Sequence, residues 1–267
     1  MPSINDSKCI LVTGATSGIG RSLALALSQL SSNPKVIGTG RRPGRLKELE
    51  DAGIEPARLE LGTEPKMLKK DVQDLIQKHP ELDTIILNAG IQRVQDFLKA
   101  DDIDLEKLHT EMHINYMSIL TVITAALPHF KKLAAAGRQC MIVTVTSVFG
   151  VVPAVHVPNY AASKAALHSL TLSLQSQFQG TNIHFIEVLP PLVESELHDA
   201  DGTTEKLSKL WMPLDEFIPA TMEGLKRGDP HVACGLSAMA RDRLKEKEKY
   251  ELVMSDERMA AVPEGWK

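Results

Sequence analysis

Short apolar segments alternate with helix-length segments along most of the chain. The apolar segments are rich in isoleucine, valine and leucine and lack a polar residue at every second position, which is typical of strands buried on both faces. Strands are predicted at Cys9–Thr13, Lys35–Thr39, Ala57–Leu61, Thr84–Leu87, Cys140–Thr146 and Ile183–Leu189, with His231–Cys234 as a candidate seventh. Helices are predicted between them at Ile19–Leu30, Leu46–Ala52, Met67–Lys78, Leu105–Phe130 and Tyr160–Phe178. The alternation predicts a three-layer, doubly wound α/β fold, with helices on both faces of a mostly parallel seven-stranded sheet.

The composition fits one folded domain. The chain has 267 residues, of which 43% are apolar and 24% are charged, and α/β folds of about 250 residues often form a single domain. No linker, repeat or low-complexity segment divides the sequence, so we predict one domain over residues 1–267. Residues 241–267 carry seven basic and seven acidic residues and are predicted to form a solvated C-terminal helix and tail.

Charge and cysteine content exclude several classes of protein. The net charge of −4 argues against binding to nucleic-acid phosphates. Three cysteines without a CxxC pair argue against a disulfide framework or a zinc site and suit a reducing compartment, so the cytoplasm is expected. Residues 1–8 lack the apolar core of a signal peptide. Residues 112–130 carry no charge, but polar residues interrupt them, so a buried helix is predicted there rather than a membrane span.

A glycine-rich turn follows the first predicted strand. The sequence Thr13–Gly20 reads TGATSGIG, and a predicted helix follows directly. Glycines allow a tight turn and a close approach to a pyrophosphate, and the N–H groups at a helix N-terminus attract its negative charge. The spacing G-x-x-x-G-x-G differs from the G-x-G-x-x-G fingerprint, and a tight strand–helix connection is the plain alternative. The position of the turn in the chain favours nucleotide binding. The predicted contacts are Gly14, Thr16, Ser17, Gly18, Ile19 and Gly20.

The end of the second predicted strand carries basic residues where many dinucleotide sites carry an acid. An Asp or Glu about 20 residues after the turn holds the adenosine 2′-hydroxyl of NAD, whereas the sequence here reads Thr39-Gly40-Arg41-Arg42. Guanidinium groups make bidentate contacts to phosphate oxygens, so the sequence predicts NADP(H) rather than NAD(H). A solvated basic turn is the alternative, above all for Arg42.

Tyr160 and Lys164 stand four residues apart at the start of a helix that carries no other charge. The spacing puts both on one helical face, and a nearby ammonium favours the phenolate and lowers the pKa of a phenol. Ser147 follows the fifth predicted strand, at the sheet edge where ligands bind, and can donate to a carbonyl oxygen. Asn115 is a candidate to anchor a water beside Lys164. The alternatives are a surface lysine, a serine bonded to a loop amide, and an asparagine bonded to backbone.

Together these residues resemble the classical short-chain dehydrogenase/reductase family over about residues 8–235. The matching pieces are Thr13–Gly20, Asn88-Ala89-Gly90, Asn115, Ser147 and Tyr160-x-x-x-Lys164, in the family's order and spacing. The resemblance implies a Rossmann fold and an Asn–Ser–Tyr–Lys tetrad. In that tetrad Tyr160 donates the proton in reduction and accepts it in oxidation, and Ser147 polarises the carbonyl. Lys164 binds the nicotinamide ribose and lowers the Tyr160 pKa, and Asn115 holds a proton-relay water.

Three positions depart from the family pattern or align with it less clearly. The usual Pro-Gly after the sixth strand is Pro190-Pro191, which changes backbone freedom near the nicotinamide. The usual threonine that follows is Ser195, which keeps a hydroxyl for the carboxamide. The acidic residue that contacts adenine aligns with Glu60. The resemblance therefore implies further cofactor contacts at Glu60, Leu61, Asn88, Ala89, Gly90, Tyr160, Lys164, Pro190, Val193 and Ser195.

The expected function is that of an NADP(H)-dependent carbonyl reductase or alcohol dehydrogenase, which transfers a hydride between nicotinamide and a ketone or secondary alcohol. The alternatives are a non-enzymatic NADP-binding regulator or scaffold on the same fold, and an epimerase or dehydratase. His156 is a candidate substrate contact, and eight apolar loop residues are expected to line the pocket, which hints at a mainly apolar substrate. These eight are Phe149, Val151, Val152, Val155, Leu192, Leu197, Trp211 and Phe217.

Two uncharged stretches predict an oligomer. Residues 112–130 and 165–186 carry no formal charge, and a helix without a charged face is usually covered on more than one side. We expect these helices to meet a second subunit in a homodimer or homotetramer. His109 and His113 have the i,i+4 spacing of metal ligands, but no third ligand is evident, so no metal site is predicted.

Overall fold

The computed structural model of the protein describes residues 2–242. Its strands are β1 Cys9–Val12, β2 Lys35–Gly40, β3 Glu55–Arg58, β4 Thr84–Leu87, β5 Cys140–Val145, β6 Ile183–Leu189 and β7 His231–Ala233. Its α-helices are α1 Gly18–Ser28, α2 Pro43–Asp51, α3 Pro65–Lys78, α4 Leu105–Met112, α5 Ser118–Ala135, α6 Pro158–Gln177, α7 Thr204–Leu207 and α8 Leu214–Arg227. Residues 235–242 are also helical.

The seven strands form one parallel sheet in the order β3-β2-β1-β4-β5-β6-β7. Alternate residues of β1 enter different cores, since Ile10 packs with α1 and α8 while Leu11 packs with α3, α5 and α6. The predicted three-layer fold is therefore confirmed. The order of the strands reverses between β1 and β4, and ligands bind outside the carboxyl ends of the strands at such a switch point.

The third strand begins two residues earlier and ends three residues earlier than the sequence predicts. Glu55 pairs with Ile37, and the strand ends at Arg58 instead of running to Leu61. The strand is at the sheet edge, where a proline such as Pro56 is tolerated and polar residues face solvent. Leu59 and Leu61 are buried in the core beyond it, which is why the apolar pattern misplaces the strand.

The single helix predicted over Leu105–Phe130 is three elements. α4 ends at Met112, a π-helical turn spans His113–Met117, and α5 continues to Ala135. π-turns within helices occur often at functional sites, and this one contains Asn115. Within residues 2–242, none of the helices has the length and apolar character needed to span a lipid bilayer. The predicted charged tail lies, apart from residues 241–242, outside the described residues.

Candidate active site

The carboxyl edge of the sheet opens into a cavity of about 440 Å³, a size typical of ligand sites. Arg41 and Arg42 line it after β2, and Ser147 lines it after β5. Three strand spacings separate β2 from β5, or about 14 Å, so the cavity extends over several strands. Most of the predicted contacts form its wall: Gly14, Thr16, Ser17, Ile19, Arg41, Arg42, Glu60, Leu61, Asn88, Ala89, Gly90, Ser147, Tyr160, Lys164, Pro190, Val193 and Ser195. Gly18, Gly20 and Asn115 are not part of the wall.

The glycine-rich turn leaves no room for side chains at two positions. Gly14 has φ +66°, and a Cβ there would lie 2.9 Å from the Ala89 Cα. A Cβ on Gly20 would overlap the Gly14 carbonyl oxygen and the Asn88 amide. The turn therefore packs its backbone against the end of β4. No side chain among the described residues caps the N-terminus of α1, so its first N–H groups can face an anion.

Asn88 and Ala89 hold β4 against this turn. Their backbone N–H groups donate to Thr13 Oγ1 at 3.0 and 3.1 Å, and Asn88 Nδ2 donates to the Thr13 carbonyl at 3.1 Å. Since Thr13 directly follows β1, these bonds hold β1 and β4 together at the switch point. The Asn-Ala-Gly segment, predicted as a cofactor contact, thus holds the glycine-rich turn in place.

Both predicted arginines reach carboxylates across the cavity rim. Arg41 Nη1 lies 3.1 Å from Glu60 Oε1. Arg42 Nη1 lies 2.7 Å from Glu196 Oε2, and its Nη2 donates to Thr16 Oγ1 at 3.2 Å. Both guanidinium groups remain about half exposed, so their remaining N–H groups can take phosphate oxygens.

Tyr160, Ser147 and Lys164 meet beside β5. Tyr160 is 6% exposed and Lys164 is 3% exposed. The Lys164 ammonium lies 5.7 Å from the centre of the Tyr160 ring and donates to the Val145 carbonyl at 2.8 Å. The predicted juxtaposition of phenol, hydroxyl and ammonium is therefore present.

Burial dominates the electrostatics of this group. Burial raises the pKa of Tyr160 to about 12, a hydrogen bond with Ser147 partly opposes this rise, and the charge of Glu111 adds to it. Burial lowers the pKa of Lys164 to about 8. Desolvation dominates the shift of the Tyr160 pKa, and a lowering of that pKa by the Lys164 ammonium stays a prediction.

Asn115 is bonded to backbone, as the alternative interpretation had it. Its Oδ1 accepts from Ile91 N at 2.8 Å, and its Nδ2 donates to the Ile91 carbonyl at 2.8 Å and to Ser163 Oγ at 3.1 Å. A Cβ on Gly90 would lie 3.1 Å from Asn115 Oδ1 and 3.6 Å from Lys164 Nζ. Asn115 thus braces the chain after β4 close to Lys164, and its role with a relay water stays a prediction.

The segment after β6 closes one side of the cavity. Pro190 accepts a hydrogen bond from Val148 N at 2.9 Å, and Pro191 also lines the wall. Ser195 Oγ accepts from Leu197 N at 3.1 Å and faces the glycine-rich turn, since a Cβ on Gly18 would lie 2.9 Å from it.

The substrate side of the wall is mixed in character. Of the eight apolar residues expected there, Phe149, Leu192 and Leu197 line the cavity. The other five do not: Val151, Val152, Val155, Trp211 and Phe217. Val155 is 85% exposed, whereas Phe217 is buried on α8 in the core, because the segment around it is a helix rather than a loop. His156 is not in the wall either, and its carbonyl accepts from Gln95 N at 3.0 Å.

Polar residues that sequence reasoning missed occupy part of this wall. Gln92 and Arg93 line the cavity, and so does His198, whose Nδ1 lies 3.4 Å from Gln92 Nε2. Gln92 and Arg93 lie two and three residues after the Asn-Ala-Gly segment, and this proximity was a usable signal. For His198 no local pattern points to the cavity.

His113 Nε2 lies 3.4 Å from the Thr63 carbonyl oxygen, and residues 2–242 contain no cluster of three His, Cys, Asp or Glu suited to a metal.

Comparison with known proteins decides the family. The family model for short chain dehydrogenase matches residues 8–206. The chain belongs to the short-chain dehydrogenase family. The chain is similar in sequence to sulfoacetaldehyde reductase 2 of Chromohalobacter salexigens. The two are 33% identical over 71% of this chain and 74% of the relative's length.

Solved structures agree with the short-chain dehydrogenase fold. A short-chain dehydrogenase from Sphingobium yanoikuyae in complex with NADPH has a TM-score of 0.78 and 21% identity, covering 96% of each chain. A family member from Burkholderia phymatum in complex with NAD has a TM-score of 0.76 and 19% identity, covering 94% of this chain and 97% of its own. Structures of this fold therefore hold either nicotinamide dinucleotide.

Proposed function

We propose that this short-chain dehydrogenase is an NADP(H)-dependent oxidoreductase that transfers a hydride between nicotinamide and a ketone or secondary alcohol. One observation carries the proposal: a single cavity joins a glycine-rich turn and two arginines to a buried Ser147–Tyr160–Lys164 group. The alternative of a regulator or scaffold has no use for this buried group, whose desolvation is costly.

The residues present fit a dinucleotide. The uncapped N-terminus of α1 and the tight backbone at Gly14 would hold the pyrophosphate. Lys164 would hold the nicotinamide ribose, and Ser195 would contact the carboxamide. These contacts support binding of either NAD(H) or NADP(H).

The arginine pair supports NADP(H) over NAD(H). Arg41 and Arg42 follow β2, where a carboxylate would be needed for a free 2′-hydroxyl. A 2′-phosphate would displace the weaker carboxylate partners at this exposed rim, since a phosphate carries more charge than the carboxylate of Glu60 or Glu196.

The chain's own residues would manage the proton. NADPH, when bound, supplies the hydride that reduces the carbonyl carbon. Tyr160 holds its proton at neutral pH, as any phenol with a pKa far above 7 does, and it would donate that proton from Oη to the carbonyl oxygen. Ser147 donates its hydroxyl to the same oxygen as negative charge develops there. The charge of Lys164 then favours the phenolate that remains.

The assembly belongs to the same proposal. Residues 112–130 and the 165–177 part of α6 carry no formal charge, and Met117 is 45% exposed in the π-turn between α4 and α5. We infer a homodimer or homotetramer in the cytoplasm that buries these surfaces. Analytical ultracentrifugation tests it, and a monomer at micromolar concentration refutes it.

The enzymatic proposal is tested by NADPH oxidation with a panel of ketones and aldehydes, including sulfoacetaldehyde. We expect turnover of at least one compound, and Tyr160→Phe should lower it by a factor on the order of 10² to 10⁴. NADPH binding with no turnover on the panel would favour the regulator. Arg41→Ala should weaken binding of NADPH far more than binding of NADH, and equal losses would refute the cofactor choice.

A further inference from the structure

Glu111 on α4 is a fully buried carboxylate that the proposed mechanism does not use. Burial raises its pKa, and three N–H donors oppose that rise. Arg93 N donates to Oε1 at 2.8 Å, Asn159 Nδ2 donates to Oε2 at 2.6 Å, and Gln95 Nε2 donates to Oε2 at 3.3 Å. A buried charge is costly to retain unless such bonds compensate for lost hydration.

The donors come from two segments that no strand or helix ladder joins. Gln95 lies in the segment after β4, and Asn159 lies in the first turn of α6, directly before Tyr160. Two further hydrogen bonds connect the same segments. Gln95 N donates to the His156 carbonyl at 3.0 Å, and Asn159 N donates to Gln95 Oε1 at 3.3 Å. Asn159 Nδ2 also donates to the Leu108 carbonyl of α4 at 3.1 Å. Glu111 stands at the centre of this network.

Three charged or polar groups act on the phenol. Lys164 on α6 lies beside its ring, Ser147 after β5 forms a hydrogen bond with it, and the charge of Glu111 on α4 disfavours its ionisation. Arg93, in the segment after β4, faces Glu111. The phenol therefore lies between an ammonium that favours its ionised form and a carboxylate that disfavours it.

We propose that Glu111 is a positioning residue for Tyr160: it ties the segment after β4 to the first turn of α6 and faces the phenol with a negative charge. The proposal rests on the function proposed above. The carboxylate sets where the phenol stands, and its charge disfavours ionisation of the phenol. Glu111 acts through Asn159 and does not touch substrate.

Glu111→Gln tests both parts of the proposal. The carboxamide keeps the shape but turns one acceptor into a donor, so at least one N–H of the network is left without an acceptor. We expect kcat for carbonyl reduction to fall roughly 10- to 100-fold, with little change in cofactor affinity. The pKa of the phenol should fall by about one unit, because a nearby negative charge is gone. Glu106→Gln is the matched control, since Glu106 is exposed on the same helix.

Two more variants separate position from charge. Glu111→Asp keeps the charge but shortens the reach, and Asn159→Ala breaks the link to α6. Both should lower kcat and leave the phenol pKa in place, so a pH profile distinguishes them from Glu111→Gln. A merely structural Glu111 would lower the melting temperature in all three without moving the pKa in any. That result, or wild-type kcat and wild-type titration in Glu111→Gln, overturns the proposal.

A readout without turnover keeps this test independent of the proposed function. The ultraviolet absorbance of the phenolate is titrated in the wild type and in Glu111→Gln, with Tyr160→Phe as the blank. If no carbonyl compound is reduced by the wild type, the proposed function fails, yet a lower phenol pKa in Glu111→Gln still supports the assignment. An unchanged titration refutes it.

Discussion

Glu187 offers a stability prediction that can be worked directly from the structure. The carboxylate is fully buried on β6. Its Oε1 accepts from His168 Nδ1 at 2.8 Å and Thr146 Oγ1 at 2.8 Å, and its Oε2 lies 3.0 Å from His231 Nδ1. Burial alone would raise its pKa, but the hydrogen bonds from the two histidines lower it from 4.5 to about 2. A shift of this size corresponds to about 3 kcal/mol of folding stability.

The sign of the effect follows from which state binds protons more tightly. The unfolded chain takes up a proton at Glu187 near its ordinary pKa, whereas the folded chain resists until the pH approaches 2. The stabilisation is therefore fully present above pH 4.5 and is lost as the pH falls toward 2. Glu187→Gln, which cannot ionise, should be about 3 kcal/mol less stable than the wild type at pH 7.

Urea unfolding at several pH values checks this prediction. The difference between the wild type and Glu187→Gln should shrink as the pH falls from neutral into the acid range. Glu223→Gln is the control, because Glu223 is exposed on α8 and its loss should change stability by less than about 0.5 kcal/mol. A difference that stays constant with pH would refute the argument from ionisation, and no difference at pH 7 would refute the stabilising network.

Three further predictions concern the site and the core. Because burial raises the pKa of Tyr160 to about 12, alcohol oxidation, which needs the phenolate, should rise about tenfold per pH unit from roughly pH 7 to pH 10, while carbonyl reduction stays level; initial rates that rise in parallel in both directions would contradict this. Gly14→Ala should abolish dinucleotide binding measured by calorimetry, since its φ is +66° and its Cβ would press on Ala89; a retained affinity would show that the turn can shift. Phe217→Ala should lower the free energy of unfolding by about 3 to 5 kcal/mol and leave the substrate KM unchanged, because Phe217 packs in the core. A large change in KM would show instead that Phe217 contacts the substrate.

The central strands and the two motifs were accessible from local pattern alone. Continuous apolar runs predict β1, β2, β4, β5 and β6 to within one residue at each end, because these strands are covered on both faces. The glycines from Gly14 to Gly20 and the spacing of Tyr160 and Lys164 encode a tight turn and a shared helical face, which are local properties of the backbone. These features are enough to predict the fold and to place both motifs at the carboxyl edge of the sheet.

Long-range packing decided the rest. The edge strand β3 has one neighbour, so its apolar pattern is weak and its register depends on pairing with β2. The π-turn at His113–Met117 contains Asn115, which accepts a hydrogen bond from Ile91 N and donates one to the Ile91 carbonyl after β4. Helical periodicity does not reveal these contacts. Phe217 faces the core, and Glu111 reaches the chain beside Tyr160, only because distant segments meet there. A sequence pattern reports whether a residue will be buried, whereas its partner depends on how the helices and strands pack together.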